Sequence, residues 1–319
     1  MQGIYPIFKK ELADHFTSYR FIILFALIAM VSLITAYTAG ISLRKELEGV
    51  AKPTFVFLLL YNAPGALFSM AQFVALFGPL IGVILGFDTI NREKNTGTLS
   101  KLVSQPIYRD SIINGKFLAG VVTIAIMLLA IILVIAGIAL RMVGVVPGVE
   151  EVLRLIFYLI ISVFYISFWL GLSILFSILF RSVATSALAS VAAWIFLAFF
   201  VTLGANVLAD SIAPLDKTTG NNPEVILKNI RIQRTASLIS PVNMYTDAAT
   251  TVIDPMRKTT RSMVLMGPQE RISASRFQGP LPFVQSIAIV MPLVVTLVAI
   301  TLVCFTISYG VFMLQEIRT

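Results

Sequence analysis

Cysteine and histidine are almost missing from this sequence, which has one of each in 319 residues, Cys304 and His15. A single cysteine excludes a disulfide within the chain and a thiolate metal cluster. A single histidine excludes the paired histidines of an HExxH zinc site. Three methionines, Met256, Met263 and Met266, are more typical of apolar cover than of metal capture, because neither Cys nor His lies near them. We therefore expect no metal site, no catalytic residues and no bound cofactor in this chain.

Charged side chains are also scarce, at 13% of the residues against roughly 25% in ordinary soluble domains. They are bunched, which leaves six uncharged windows at 21–43, 53–87, 117–140, 155–180, 182–209 and 277–315. Each window reaches the roughly 20 helical residues that cross a bilayer. Helices satisfy their own backbone groups in lipid, and the ten-residue alternation of a transmembrane barrel is missing. The sequence predicts an all-α polytopic membrane protein with six transmembrane helices.

We place these six spans within one domain that covers residues 1–319. Their expected ranges are about 21–40, 66–87, 117–140, 152–180, 183–208 and 284–313. The run at 54–61 is too short to cross and is expected at the membrane interface. The long connection at 209–283 contains two helix starts, Asn222–Pro223 and Ser240–Pro241, each with a capping residue before a proline. This pattern predicts an ordered outer segment between spans five and six.

The distribution of basic residues predicts the orientation. With the N-terminus inside, the short inner segments carry ten bases, the short outer segments carry five, and the long connection carries the other nine of the 24. The positive-inside rule counts short loops and largely ignores long ones. Both termini are therefore expected in the cytoplasm. The protein itself is expected in the cell (plasma) membrane. Nucleic acid is not an expected partner, because the bases form no stripe interleaved with aromatics.

Residues 1–20 precede the first span and are expected to form an interfacial elbow helix, since Ile4, Ile7, Phe8 and Leu12 share one helical face. A plain soluble leader is the alternative. Span five opens with small residues between 184 and 193, which allow close helix approach. They are consistent with a mobile inner helix or with ordinary packing.

The segment 88–116 between spans two and three is the main polar feature on the inner side. Gly97 interrupts the incoming helix, Thr98 can cap a new short helix, and Pro106 stops it. Leu99, Leu102 and Val103 share one face of that short helix, as in helix-in-groove docking. A helix that rests on the lipid surface has the same periodicity and stays open as an alternative.

This stretch resembles a known family. The run GFDTINREKNTGTLSKLVSQPIYRDSIINGK is similar to the first cytoplasmic loop of type-2 ABC exporter permeases, in which an acidic residue, a Glu, Gly-Thr-Leu, Pro-Ile-x-Arg and Gly-Lys follow one another. The matching residues are Asp88, Glu93, Gly97, Thr98, Leu99, Pro106, Arg109, Gly115 and Lys116. FKKELAD, which contains Phe8, Lys9, Lys10 and Glu11, resembles the family's elbow helix. SPVNMYTDAATTVIDP, at 240–255, resembles its outer element.

The resemblance implies a permease that pairs with a second copy or a related permease and binds two cytoplasmic ATPase subunits. The elbow helix and the coupling helix would form the contacts. Glu93 and Arg109 would orient the loop, Leu99, Leu102 and Val103 would fill a groove on the ATPase, and Lys9 and Lys10 would hold the elbow at anionic headgroups. ATP and Mg²⁺ would be bound by the partner, since Gly115–Lys116 is followed by Phe117 and lacks the earlier glycine of a phosphate loop.

Two other classes of membrane protein remain as alternatives, a secondary ion-coupled transporter and a scaffold without transport activity. Ion-coupled transporters usually place ionisable groups near the membrane midplane. In this sequence Asp88 and Arg154 lie at expected span ends, where snorkelling or an interfacial partner explains them. If the permease interpretation holds, we expect ATP binding to displace the loop helix and the elbow, and these to shift spans one, two and five.

Overall fold

The computed structural model describes residues 3–46, 55–62, 69–98, 108–214, 223–257 and 279–315. Within these ranges the regular secondary structure is entirely helical. The helices are α1 (Ile4–Thr17), α2 (Tyr19–Glu46), α3 (Val56–Asn62), α4 (Met70–Gly86), α5 (Asn91–Asn95), α6 (Arg109–Val143), α7 (Val149–Leu179), α8 (Val183–Ile195), α9 (Val201–Ile212), α10 (Pro223–Ser237), α11 (Pro241–Ile253) and α12 (Phe283–Leu314). A π-helical turn, Phe196–Phe200, joins α8 to α9.

Six helical stretches are long and apolar enough to cross a membrane, which confirms the predicted all-α architecture with six spans. They are Tyr19–Lys45, Met70–Asn95, Arg109–Val143, Val149–Leu179, Val183–Ile212 and Phe283–Leu314. Span two thus extends through α5, and span five consists of α8, the π-helical turn and α9. Span six is one continuous helix with Pro292 inside it. The protein is a multi-pass membrane protein.

Helix α7 is the centre of the bundle and packs mainly against α12 and α4. Three glycines on α4, Gly78, Gly82 and Gly86, face α7. A Cβ added to Gly82 would lie 2.7 Å from the carbonyl oxygen of Ile166, and one added to Gly86 would lie 2.9 Å from that of Leu170. Only glycine permits this approach of the two backbones. Spans two and four therefore form one closely packed pair.

Polar side chains of α7 are buried along this contact and hydrogen-bond to the backbones of neighbouring helices. Tyr165 Oη donates to the carbonyl oxygen of Ala75 at 2.6 Å, and Ser173 Oγ donates to that of Val83 at 3.1 Å. On the side facing α11, the Ser162 and Tyr245 hydroxyl oxygens are 2.8 Å apart. Each of these groups has a partner inside the bundle, whereas Ser167 Oγ and Trp169 Nε1, which are also buried on α7, have no hydrogen-bond partner among the described residues.

Span five lies at the edge of the bundle. Only 6% of its most apolar window is buried, against 61% for span four. Leu188, Phe196, Phe200 and Val207 expose more than half of their surface along this helix. The π-helical turn lies at the middle of this exposed surface. Span five therefore has a large apolar face that the chain itself does not cover.

The short run expected at the membrane interface is instead buried in the protein. Helix α3 places Phe57, Leu58 and Tyr61 inside the hydrophobic core, each at most 2% exposed. Tyr61 Oη donates to the carbonyl oxygen of Ile132 at 2.9 Å, and the Phe57 amide donates to Glu151 Oε1 at 3.1 Å. These contacts fix α3 against α6 and α7.

Candidate functional site

Helix α1 lies across the first turns of α6. Its Ile7 side chain is buried against Gly115, where an added Cβ would come within 2.9 Å of Ile7 Cγ2. The helix ends at Thr17 because Ser18 is extended, with φ −72° and ψ 124°, and α2 starts at Tyr19. Glycine at position 115 thus permits α1 to dock on the base of span three.

A buried ion-pair cluster joins α1, α5 and α6. Lys116 Nζ lies 2.9 Å from Glu11 Oε1 and 2.8 Å from Glu93 Oε1, and the Lys116 side chain is 2% exposed. Lys10 Nζ adds contacts to Glu11 at 2.9 Å and to Asp14 at 3.2 Å. We call Glu11, Glu93 and Lys116 the Lys116 cluster. One ammonium group therefore ties the helix before span one to both ends of the loop between spans two and three.

The cluster controls the protonation of its members on α1. Burial alone would raise the pKa of the Glu11 carboxyl, but the charges of Lys116 and Lys10 and their hydrogen bonds outweigh it and hold this pKa below its ordinary value. Burial alone would lower the pKa of Lys10, and the hydrogen bond and charge of Glu11 raise it instead. Burial lowers the pKa of His15. At neutral pH the Glu11 carboxylate and the Lys10 ammonium group are thus charged and His15 is neutral.

A second ion-pair group joins the start of α2 to the end of α4. Arg20 Nη1 donates to Asp88 Oδ2 at 2.7 Å, and Arg92 Nη1 lies 3.7 Å from the same oxygen. The Arg20 guanidinium also lies over the ring of Phe87, 5.5 Å from its centroid. Asp88, which the sequence placed at a span end, thus has the interfacial partner expected there.

Helix α5 is attached to the ends of spans four and six. Ser177 Oγ accepts from the amides of Ile90 and Asn91 at 2.9 and 3.2 Å. Lys94 Nζ donates to the Gln315 side chain and to the carbonyl oxygen of Ile178. These contacts fix α5 to the ends of spans four and six.

Arg109 makes a further contact with span six at the far end of the loop. Its Nη2 donates to the carbonyl oxygens of Gln315 at 2.7 Å and Phe312 at 3.2 Å. These acceptors are at the C-terminal end of α12, where a cation is favoured. The expected role of Arg109 in orienting the loop remains a prediction, and these bonds give it a physical basis.

The sequence-predicted coupling residues lie partly within the described ranges. Glu93 and Glu11 meet at Lys116, Phe8 is half-buried on α1, and Lys9 is exposed. Gly97 lies two residues after the end of α5 and has φ +70°, which glycine adopts readily. Thr98 Oγ1 donates back to the carbonyl oxygen of Glu93 at 3.3 Å. Leu99, Leu102, Val103 and Pro106 lie outside the described residues, and so does the short helix predicted there.

Sequence reasoning gave Lys116 no role beyond its place in the family pattern. The signal was a lysine just before a long uncharged window, with one acidic residue in the elbow and one in the loop. It did not show that these groups meet, because Glu11 and Lys116 are 105 positions apart.

The end of the bundle opposite the Lys116 cluster has its own buried cation. Arg154 is fully buried and donates to Glu150 Oε1 at 2.8 Å, to the carbonyl oxygen of Val252 at 2.9 Å and to Ser286 Oγ at 3.1 Å. A fourth acceptor is the carbonyl oxygen of Leu281 at 2.5 Å. Arg154 does not snorkel to the interface, because its buried side chain links α7 to α11 and α12 by hydrogen bonds.

Comparison with known proteins identifies the same class of molecule over nearly the whole chain. The family model described as "ABC-2 family transporter protein" matches residues 5–317. A curated relative, the "Probable ABC transporter permease protein NosY" of Pseudomonas aeruginosa, is 29% identical over 155 residues. That match covers 49% of this chain and 51% of the relative, so the chain spans about half the length of the curated relative it matches.

Proposed function

Because the chain belongs to the ABC-2 family of transporter proteins, we propose that it is the permease subunit of an ABC exporter, which forms the translocation path and is driven by separate ATPase subunits. The family match favours this class over an ion-coupled transporter or a membrane scaffold. ATP and Mg²⁺ bind to the partner, and this chain supplies the surface on which the partner acts.

The observation that carries the proposal is the Lys116 cluster. It joins the elbow helix α1, and helix α5 at the start of the loop, to the base of span three through one buried ammonium group. Force applied by an ATPase to either element therefore reaches the same point of the bundle. This arrangement suits a permease that is moved by an ATPase subunit bound to it beside the lipid bilayer.

The packing restricts which spans respond to such a movement. Span two cannot shift without span four, because α4 and α7 touch at Gly82 and Gly86 more closely than any side chain would allow. Spans four and six hold α5 through Ser177 and Gln315. Spans two, four and six thus act as one body, and span five, which has few contacts with it, is the element that moves relative to it.

The family match supports ATPase partners, and the uncovered apolar face of span five supports a second permease. Two ATPase subunits bind at the loop and the elbow of two permeases, one subunit for each. The second permease, a copy of this chain or a related chain, covers the apolar face of span five that includes Leu188, Phe196 and Phe200. The permease resides in the plasma membrane, and both of its termini are cytoplasmic.

Loss of the ATPase after substitution in the loop tests the coupling proposal. The double variant Leu99→Asp/Leu102→Asp should still insert in the membrane but no longer co-purify with the ATPase. Val146→Asp/Val149→Asp is the matched control, since it also replaces two apolar residues by aspartate, and these two valines are exposed at the other end of the bundle. An ATPase that co-purifies equally with both variants would contradict docking through this helix.

Cysteine labelling tests the orientation. A membrane-impermeant thiol reagent should label Arg231→Cys, on the exposed surface of α10, in intact cells. It should label Lys9→Cys only after permeabilisation. The reverse pattern would show that the base asymmetry has been misinterpreted.

A further inference from the structure

A cleft of about 910 Å³ lies between α1, the start of α2, the end of α4 and α5. Its volume is in the range of small-molecule sites, which is roughly 300–1,000 Å³. Phe21, Ile84 and Leu85 form an apolar part of the lining, and charged and uncharged polar side chains form the rest. Both ion-pair groups described above border this cleft.

The charges that line the cleft are unequal in exposure although they are equal in number. The side chains of Arg20, Arg92 and Lys10 are 55%, 68% and 55% exposed. The carboxylates of Asp88 and Glu93 lie behind them and are only 16% and 14% exposed. At Arg20 and Arg92 an approaching ligand therefore meets guanidinium groups first, whereas at Lys10 it also meets the carboxylate of Asp14, which is 59% exposed.

The two arginines have donors that their internal partner does not use. Arg20 binds Asp88 through Nη1, and Arg92 Nη1 lies 3.7 Å from the same carboxylate, beyond hydrogen-bond distance. A guanidinium group has five N–H donors in a planar fork that matches the oxygens of a phosphate group. Arg20 and Arg92 are thus able to hold a phosphate between them.

The cleft also lies at the level of a membrane surface. Arg20 is in the first turn of span one, and Asp88 lies just past α4. Tyr19 and Phe16, next to Arg20, are exposed, as aromatic side chains at a membrane interface are. Phosphate groups of lipids occur at this depth, and the apolar lining at Phe21 and Ile84 continues toward the acyl chains.

We propose that this cleft binds the phosphate headgroup of an anionic phospholipid from the adjoining leaflet, with Arg20 and Arg92 as the phosphate ligands and Lys10 at the rim. The site does not depend on the function proposed above. A bound phospholipid would join α1 and α2 to α5 through its headgroup.

The test is native mass spectrometry of the full-length protein released from nanodiscs that contain phosphatidylglycerol and phosphatidylcholine, with a titration of each lipid. Phosphatidylglycerol should be retained in preference to phosphatidylcholine. Arg92→Gln should weaken phosphatidylglycerol binding about 5-fold, and Arg20→Gln/Arg92→Gln about 30-fold, because each basic side chain contributes a similar factor. Arg20→Lys/Arg92→Lys, which keeps both charges, should recover most of the binding and so exclude misfolding as the cause.

The matched control is Arg141→Gln/Arg181→Gln, which removes two exposed arginines at span ends away from the cleft. It should leave phosphatidylglycerol binding unchanged. Equal retention of the two lipids, or equal losses in the two double variants, would overturn the proposal. Displacement of the lipid by inorganic phosphate at comparable affinity would identify a simple anion site. Exclusion of phosphatidylglycerol by the bound ATPase would identify a protein-binding surface, and either result would refute a lipid site.

Discussion

Replacing Lys116 by methionine should destabilise the protein by about 3 kcal/mol. The variant leaves two carboxylates, Glu11 and Glu93, without their shared cation while their side chains stay 11% and 14% exposed. Removing one partner of a buried ion pair costs roughly 3–5 kcal/mol. The lower end applies because Lys10 Nζ remains 2.9 Å from Glu11 and 3.9 Å from Glu93.

The assay is reversible unfolding in mixed detergent micelles, where this loss corresponds to an increase of about 150-fold in the unfolding constant. The triple variant Lys116→Met/Glu11→Gln/Glu93→Gln should recover most of the lost free energy, because it buries no unpaired charge. Lys9→Met, on the exposed face of α1, should stay within about 0.5 kcal/mol of the wild type.

The pH dependence of unfolding separates the ion pair from lost packing. In the wild type the folded-state pKa of Glu11 lies below its ordinary value of 4.5, so its contribution is fully present above pH 4.5 and is lost as the pH falls through the folded-state pKa. In Lys116→Met the charge and hydrogen bond that lower this pKa most are removed, so the folded-state pKa of Glu11 rises and less stability should be lost on acidification below pH 4.5. Both proteins should carry His15→Asn, because the folded-state pKa of His15 is also shifted. The same pH profile in both proteins would refute the reasoning.

Three further substitutions test the other contacts. Gly82→Leu should separate α4 from α7 and prevent stable folding, whereas Gly137→Leu, with open space around its Cβ position, should have little effect in a thermal-stability assay. Arg154→Met should cost about 3–5 kcal/mol and increase proteolysis of the outer segment, while the exposed Arg141→Met should not. Ser177→Ala should cost about 1–3 kcal/mol by leaving two amides without their acceptor, and faster amide hydrogen exchange in α5 would report it.

The spans were predictable because each one is a long apolar sequence whose backbone hydrogen bonds form within the same helix. Their packing was not predictable to the same degree. The run of small residues noted above lies in span five, which the structure leaves largely uncovered. The close contact is instead made in span two, by the regularly spaced Gly78, Gly82 and Gly86. That spacing is a genuine signal for close helix contact. The sequence does not say which helix will meet it, since any apolar partner is suitable.

The polar contacts were predictable only where the partners are neighbours in sequence or belong to a family pattern. Glu93 was selected through the resemblance, and its partner Lys116 lies 23 positions away on another helix. Arg154 looked like an ordinary span-end arginine. Its burial depends on acceptors at Val252, Leu281 and Ser286, which reach it only through the tertiary fold.

The Lys116 cluster also has a consequence for how the protein is made. Glu11 leaves the ribosome 105 residues before Lys116, which at about 5–20 residues per second is a delay of roughly 5–20 seconds. During that interval span one can enter the bilayer, but its elbow has no cation to dock on. Arg154 likewise lacks its acceptor at Leu281 until 127 further residues have been synthesised after it. The Lys116 cluster can therefore form early in synthesis, whereas the contacts of Arg154 with Leu281 and of Arg109 with Gln315 form only when nearly the whole chain has emerged.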